Sequence, residues 1–249
     1  MNRLMKAEWF RVRHSSGFMK WLFAACVVCT VFPPLINLEI CKGTLAENLK
    51  ASQLMISIFM PGLLAGFSAV IVGIGYRNKT AYYEVMAGNK IFQIIFSKVF
   101  VDAVLVSGSV LAVMGLYWII IGCCNGIGQI GQFPLRLLLL FVVFFSVCAN
   151  GILILTSFRR LTGAAAAYVW FTFVEVFFLF FIQSLEGRFS EAVMVRIGEW
   201  FTMIKLAKII SFEYEITGHL IFTVIAGMLI EGGVWYAISY RGMKKRLYE

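Results

Sequence analysis

Three carboxylates interrupt long apolar runs in this 249-residue sequence: Asp102, Glu175 and Glu231. An ionisable side chain at the centre of a bilayer costs roughly 3 kcal/mol, so such groups face a bundle interior, water or a partner. Asp102 follows Lys98 by four residues, the spacing of a local ion pair on one helix face. Glu175 and Glu231 lie deeper, with no Lys or Arg at their depth in any apolar run. They are either held neutral, exposed to a wet cavity, or hydrogen-bonded between helices. Those options place them on a substrate path or make them a tie between two helices.

Other reactive types are sparse. His14 and His219 are the only histidines and fall on opposite sides of the expected membrane topology, so no shared metal site is expected. Cys26 and Cys29 form a CxxC, but inside an apolar run with no second pair, which favours small apolar helix residues over redox or metal chemistry. There is no G-x-x-x-x-G-K-[ST] phosphate loop and no H-E-x-x-H. No nucleophile has its own base, and the sequence is not expected to be an enzyme.

The elements that position these groups follow from composition. The chain is 61% hydrophobic and 14% charged, whereas soluble domains carry about a quarter charged residues. About 20 apolar residues cross the hydrocarbon core as a helix. Six such spans are expected: Phe18–Leu38, Leu54–Gly75, Val99–Cys123, Leu137–Thr156, Leu161–Gln183 and Gly218–Tyr240. The first is read as an uncleaved span. The net charge of +9 would suggest nucleic acid in a soluble protein. Here it follows the positive-inside rule. With the N-terminus inside, 15 of the 22 basic residues fall in the inner segments and 7 in the outer ones. Both termini are therefore expected in the cytoplasm, and no nucleic-acid partner is expected.

Two amphipathic segments flank the spans. Residues 1–17 mix Leu4, Met5, Trp9, Phe10 and Val12 with basic residues, as a helix on the inner leaflet does. Residues 184–217 carry too many charges for a seventh span. Val193, Ile197, Trp200, Phe201 and Ile204 recur at helical spacing, while Glu191, Arg196, Glu199, Lys205 and Lys208 tend to another face. That pattern predicts an amphipathic helix lying on the outer surface, and packing against the outer ends of the spans would serve it equally well. Pro61 permits a kink in the second span, and Gly62 and Gly66 permit close helix approach. The expected class is all-α, one domain over 1–249, with no room in its loops for an appended catalytic domain.

The inner loop at 76–98 departs most from the apolar background, with "YRNKTAYYEVMAGNK" leading to Lys98. Thr80–Ala87 can form a short helix, which Gly88 stops. The order Y-R-N-K-T, A-G-N-K, I-F, S-K resembles the cytoplasmic loop of ATP-binding-cassette (ABC) permeases of the type-2 exporter class. Thr80, Gly88 and Lys98 match that pattern. Asn89 stands where serine is common, and Lys90 where arginine is usual. The six-span order, the amphipathic N-terminal helix and the outer segment before the last span are similar too.

The resemblance implies a permease of the short bacterial peptide-immunity or drug-efflux type, in the bacterial plasma membrane. It would pair with a second permease subunit, the same or homologous, and with separate ATPase subunits. ATP and magnesium would be bound by those ATPases, and this chain would bind no cofactor or metal. Thr80, Tyr83, Glu84, Gly88, Lys90 and Lys98 would couple it to the ATPase. Asp102, Glu175 and Glu231 would be candidates for the translocation path, carrying an amphipathic or hydrophobic cargo such as an antimicrobial peptide or drug outward. Two alternatives are a membrane-embedded hydrolase using Glu175 and Glu231, and a non-transporting immunity or sensor protein.

Overall fold

A computed structural model of the chain describes residues 2–15, 43–77, 80–128, 131–158, 196–211 and 214–248, with isolated positions at 17, 20, 23, 24 and 27. The fifth predicted span, nearly all of the first, the CxxC and Glu175 lie outside the described residues. Among the described residues the regular secondary structure is all helical. The helices are α1 (Asn2–Arg13), α2 (Leu45–Arg77), α3 (Thr80–Met86), α4 (Ile91–Asn125), α5 (Phe133–Ser157), α6 (Thr202–Ile210) and α7 (Gly218–Tyr248).

Three of these, α4, α5 and α7, are long and apolar enough to cross a membrane. They fit an integral membrane protein. They contain the predicted third, fourth and sixth spans, and the 33-residue α2 contains the second. Each helix extends past its apolar run at one end or both. At the start of α2, the Thr44 N–H donates to Glu47 Oε2 at 2.8 Å, and Leu45 N–H donates to Gly126 O at 3.0 Å. α2 continues through Pro61. A methyl group at Gly62 would meet nothing within 4 Å, so this glycine serves no close approach within the described chain.

α5 is the centre of the bundle. It packs against α2, α4, α6 and α7, and it is the most buried of the three apolar helices, while α7 is the least. Leu139, Leu140, Phe144, Cys148 and Ile152 of α5 are fully buried with Leu64 of α2 and Val106 and Val110 of α4. Lipid tails are as apolar as leucine, so this core is held by dispersion and shape fit more than by exclusion of water.

Helix directions sort the termini into two groups. One end gathers α1, the C-terminus of α2, α3, the N-terminus of α4 and the C-termini of α5 and α7. The opposite end gathers 43–45, 125–133 and 196–218, including α6. Arg3, Lys6, Arg11, Arg13, Lys90, Lys98, Arg241, Lys244 and Lys245 belong to the α3 end. Lys50, Arg136, Arg196, Lys205 and Lys208 belong to the α6 end. α5 and α7 run parallel. Thr156 and Ser239 share a hydrogen bond of 2.7 Å, and a methyl group at Gly242 would stand 2.6 Å from the Ser157 carbonyl oxygen.

Of the two placements expected for the segment before α7, α6 takes the packed one. α6 packs on α2 and α5, and its Leu206, Ile209 and Ile210 are fully buried. The expected faces are only partly kept, with Arg196 exposed as expected and Lys208 half-buried. Ile197 and Trp200 are exposed, while Glu199 and Lys205 are buried. The helical period is broken at 199–201, where the chain turns before Thr202, so the face defined upstream does not continue through α6. The buried charges are tolerated because they find partners, as described below.

Candidate functional site

The seven residues of α3 end in a Schellman turn. Gly88 takes φ +83°, the Gly88 N–H donates to Val85 O at 2.9 Å, and the Asn89 N–H donates to Glu84 O at 3.2 Å. Only a residue without Cβ adopts that φ cheaply, which explains the glycine. The Asn89 side-chain amide also donates to Glu84 O at 3.0 Å. Lys90 opens α4, its N–H donating to Gln93 Oε1 at 3.4 Å. The joint between α3 and α4 therefore has almost no slack.

α3 presents two different faces. Tyr83 is 65% exposed and Met86 71%, and Ala87, Gly88 and Lys90 are exposed beside them. On the other face Val85 packs on Ile91, Ile95, Leu153 and Met243. Glu84 also turns inward, and Lys98 donates to its Oε1 at 3.3 Å. Lys98 itself is buried. Thr80 begins the helix. The six residues expected to contact a partner thus divide. Tyr83, Gly88 and Lys90 lie on the open face, whereas Glu84 and Lys98 bind α3 to the bundle. A seven-residue helix is too short for its periodicity to reveal which way one carboxylate points.

Glu84 and Lys98 belong to a larger buried cluster. Lys98 Nζ lies 3.6 Å from Glu8 Oε2. Glu8 also pairs with Arg11, whose guanidinium lies 3.6 Å from Asp102 Oδ2 and donates to Ile71 O at 3.3 Å. Three carboxylates and two cations therefore join α1, α2, α3 and α4. Asp102 was expected to pair locally with Lys98. Instead its ion pair is to Arg11 on another helix, while Lys98 reaches Glu84 and Glu8. The sequence does hold one signal for Glu8, the only acid in residues 1–17.

The cluster has acceptors to spare. Glu84 Oε2 and Asp102 Oδ1 are buried without a hydrogen-bond partner. Burial pushes the Glu84 carboxyl above its ordinary range. Lys98 opposes that shift and the like charge of Glu8 adds to it. Burial alone would lower the pKa of Arg11, but Glu8, Asp102 and Glu84 outweigh it and hold the guanidinium above its ordinary value. The geometry suits a rearrangeable ionic joint. It contains no nucleophile with an adjacent base.

Two further polar groupings occupy the other half of the bundle. The first is Arg136, which is buried near the start of α5. Its Nη1 donates to the carbonyls of Lys208, Ile209 and Ser211 at 3.2, 2.9 and 2.7 Å, and its Nη2 donates to Tyr214 O. A planar cation thus closes the negative C-terminal end of α6. Next to it Lys208 donates to Glu199 Oε1 at 2.8 Å, and His219 contacts the other oxygen of Glu199. Burial raises the Glu199 pKa, but the hydrogen bonds from Lys208 and His219 prevail and hold it below the ordinary carboxylate range.

The second grouping surrounds Glu231. Asn150 Nδ2 donates to Glu231 Oε2 at 2.9 Å, linking α5 to α7. Lys205, counted above among surface charges, is buried and reaches the same place. A methyl group at Gly227 would stand 2.8 Å from its Nζ and 3.9 Å from Glu231 Oε1. A cation therefore does stand at the depth of Glu231, delivered by α6 rather than by a span. The polar Asn150 inside an apolar run was the available sequence signal for this contact.

Comparison of the chain with family models, curated proteins and solved structures found no match.

Proposed function

We propose that this chain is the permease subunit of an ABC exporter, moving an amphipathic or hydrophobic cargo outward under the power of separate ATPase subunits. The observation that carries this reading is the two-faced α3. It is a short helix set between two long ones, open on Tyr83, Met86 and Lys90 and tied inward by Glu84 and Val85. A partner that moves the open face moves α4 directly through the Gly88–Lys90 joint. It also pulls on α1 through Lys98 and Glu8.

In this reading the α3 end is cytoplasmic, in keeping with its excess of basic residues. Six spans are proposed. The chain leaves the α3 end at Ser15 and is next described at the α6 end at Gly43, and it does the same between Phe158 and Arg196. Each interval holds one of the remaining predicted spans. The membrane is then a bacterial plasma membrane, ATP and magnesium sit on the partner ATPase, and a second permease subunit completes the pathway. Glu231 remains a candidate on that pathway, and Asp102 is reassigned to the coupling cluster. The hydrolase alternative gains nothing from Glu231, which meets an amide and a neighbouring ammonium.

Co-purification from a membrane host expressing the chain with candidate phosphate-loop ATPases tests the reading. Tyr83→Ala combined with Lys90→Glu should abolish co-purification and ATP-dependent efflux while leaving membrane insertion intact. Glu84→Gln should keep the ATPase bound but weaken its coupling to efflux. Full binding and efflux by the Tyr83/Lys90 double variant would overturn it.

A further inference from the structure

The Asn150–Glu231 pair, with the Lys205 ammonium beside it, has the chemistry of a ligand site. Asn150 is 5% exposed and uses its Nδ2 on Glu231. That orientation suits an ionised Glu231, against which turning the amide over would set two acceptor oxygens. It leaves Asn150 Oδ1 buried and without a hydrogen-bond partner. The site therefore offers a carboxylate and a neutral carbonyl acceptor close together, in an apolar surround. A primary ammonium carries three N–H donors and no acceptor, which matches both groups.

Lys205 brings such an ammonium, but it arrives along the Gly227 backbone and does not reach Asn150 Oδ1. A free ammonium is not tethered to α6 and can meet both acceptors. An apolar surface lies beside the carboxylate. Leu229, Ile230 and Val234 flank Glu231 on α7 and are each more than half exposed. A methyl group at Gly233 would meet nothing within 4 Å.

We infer that Asn150 and Glu231 form a binding site for the primary ammonium of a cationic amphipath, and that Lys205, held beside this site while α6 is docked, competes with that ammonium electrostatically. The assignment of that amphipath as cargo rests on the exporter reading above; the binding itself does not. Lys205 is then an internal competitor. Withdrawal of α6 from the bundle would carry its ammonium away and open Glu231 to a ligand of the same chemistry.

The test uses the full chain in lipid nanodiscs, with hexylammonium as the probe and hexanol and hexyltrimethylammonium as controls. Hexanol has the tail without the charge, and hexyltrimethylammonium has the charge without N–H donors. Binding is read as displacement of the unfolding midpoint over a concentration series. Lys205→Met should bind hexylammonium at least ten-fold more tightly than the wild type and should discriminate against both controls. Adding Glu231→Gln to Lys205→Met should remove that gain, and adding Asn150→Ala should reduce it several-fold. Equal binding of hexanol, no gain in Lys205→Met, or a gain that survives Glu231→Gln would each overturn the site. If Lys205→Met does not fold, Lys205→Gln takes its place with the same comparisons. No ATPase is present in this assay, so its failure leaves the coupling reading standing. Conversely, an ammonium site would persist if no ATPase partner were found.

Discussion

The two ends of the bundle solve the same problem, keeping charge out of lipid, in different ways. At the α3 end side chains pair with side chains. Glu8, Glu84 and Asp102 share Arg11 and Lys98, and two carboxylate oxygens are left over. At the α6 end a single guanidinium is spread over backbone carbonyls. Those carbonyls cannot change partners unless α6 unwinds or leaves. The ion cluster can change partners by rotating a few side-chain bonds. The α6 end is therefore built to hold one arrangement and the α3 end to pass between several, which suits a handle at one end and a plug at the other.

The largest expected effect is at the fixed end. Arg136→Ala leaves several buried carbonyls without donors and should destabilise the chain by roughly 3–5 kcal/mol in reversible unfolding in mixed micelles. A cost under about 1 kcal/mol would show that α6 is not anchored there. At the α3 end Arg11→Met should cost about 2–3 kcal/mol, because it leaves three acids with one cation. Removing a carboxylate as well, in Arg11→Met with Asp102→Leu, should recover at least half of that loss. Such non-additivity would identify a shared cluster, and simple additivity would break the contrast between the ends. Gly88→Ala should cost about 1 kcal/mol from backbone strain alone, since a methyl group there meets nothing within 4 Å.

The smallest effect has opposite signs at the two ends. Glu84 has a folded-state pKa above its ordinary value of about 4.5. Its contribution to stability is fully present below that value and is lost as pH rises through the folded pKa. Glu199 is shifted down, so its contribution is present above about 4.5 and is lost as pH falls through its folded pKa. Acidification from about pH 6 to about pH 4 should therefore increase hydrogen-exchange protection of α3 and, further down, decrease that of 199–208. Glu84→Gln and Glu199→Gln should each abolish the response at their own end only. Responses of the same sign would contradict the two assignments.

Much of the scaffold was legible because it depends on local composition. Gly218 begins both the predicted last span and α7, and Gly88 ends α3 as its position required. The four apolar runs from 54, 99, 137 and 218 each lie within one helix, apart from small differences at the ends. The candidate site was legible only in part, because contacts between residues far apart in sequence leave no periodic trace. Glu84 meets Lys98 across a turn, and Lys98 meets Glu8 across 90 residues. Nothing near Arg136 announces that it will close a helix more than 70 residues later. The inward side of α6 was misread for a related reason. Hydrophobic spacing assumes that charge faces out, and Glu199 is instead turned in by Lys208 and by His219 of α7.

Gly242 sets the kind of motion these helices allow. Its backbone lies against the Ser157 carbonyl, so α7 cannot slide along α5 by one residue without driving the Arg241 or Met243 side chain into that contact. Rotation about the contact point disturbs it least. Two parallel helices pinned at one extremity spread most at the other, as scissor blades do. The pin lies at the α3 end, so a small angular displacement there grows with distance along α7 and is widest beside α6.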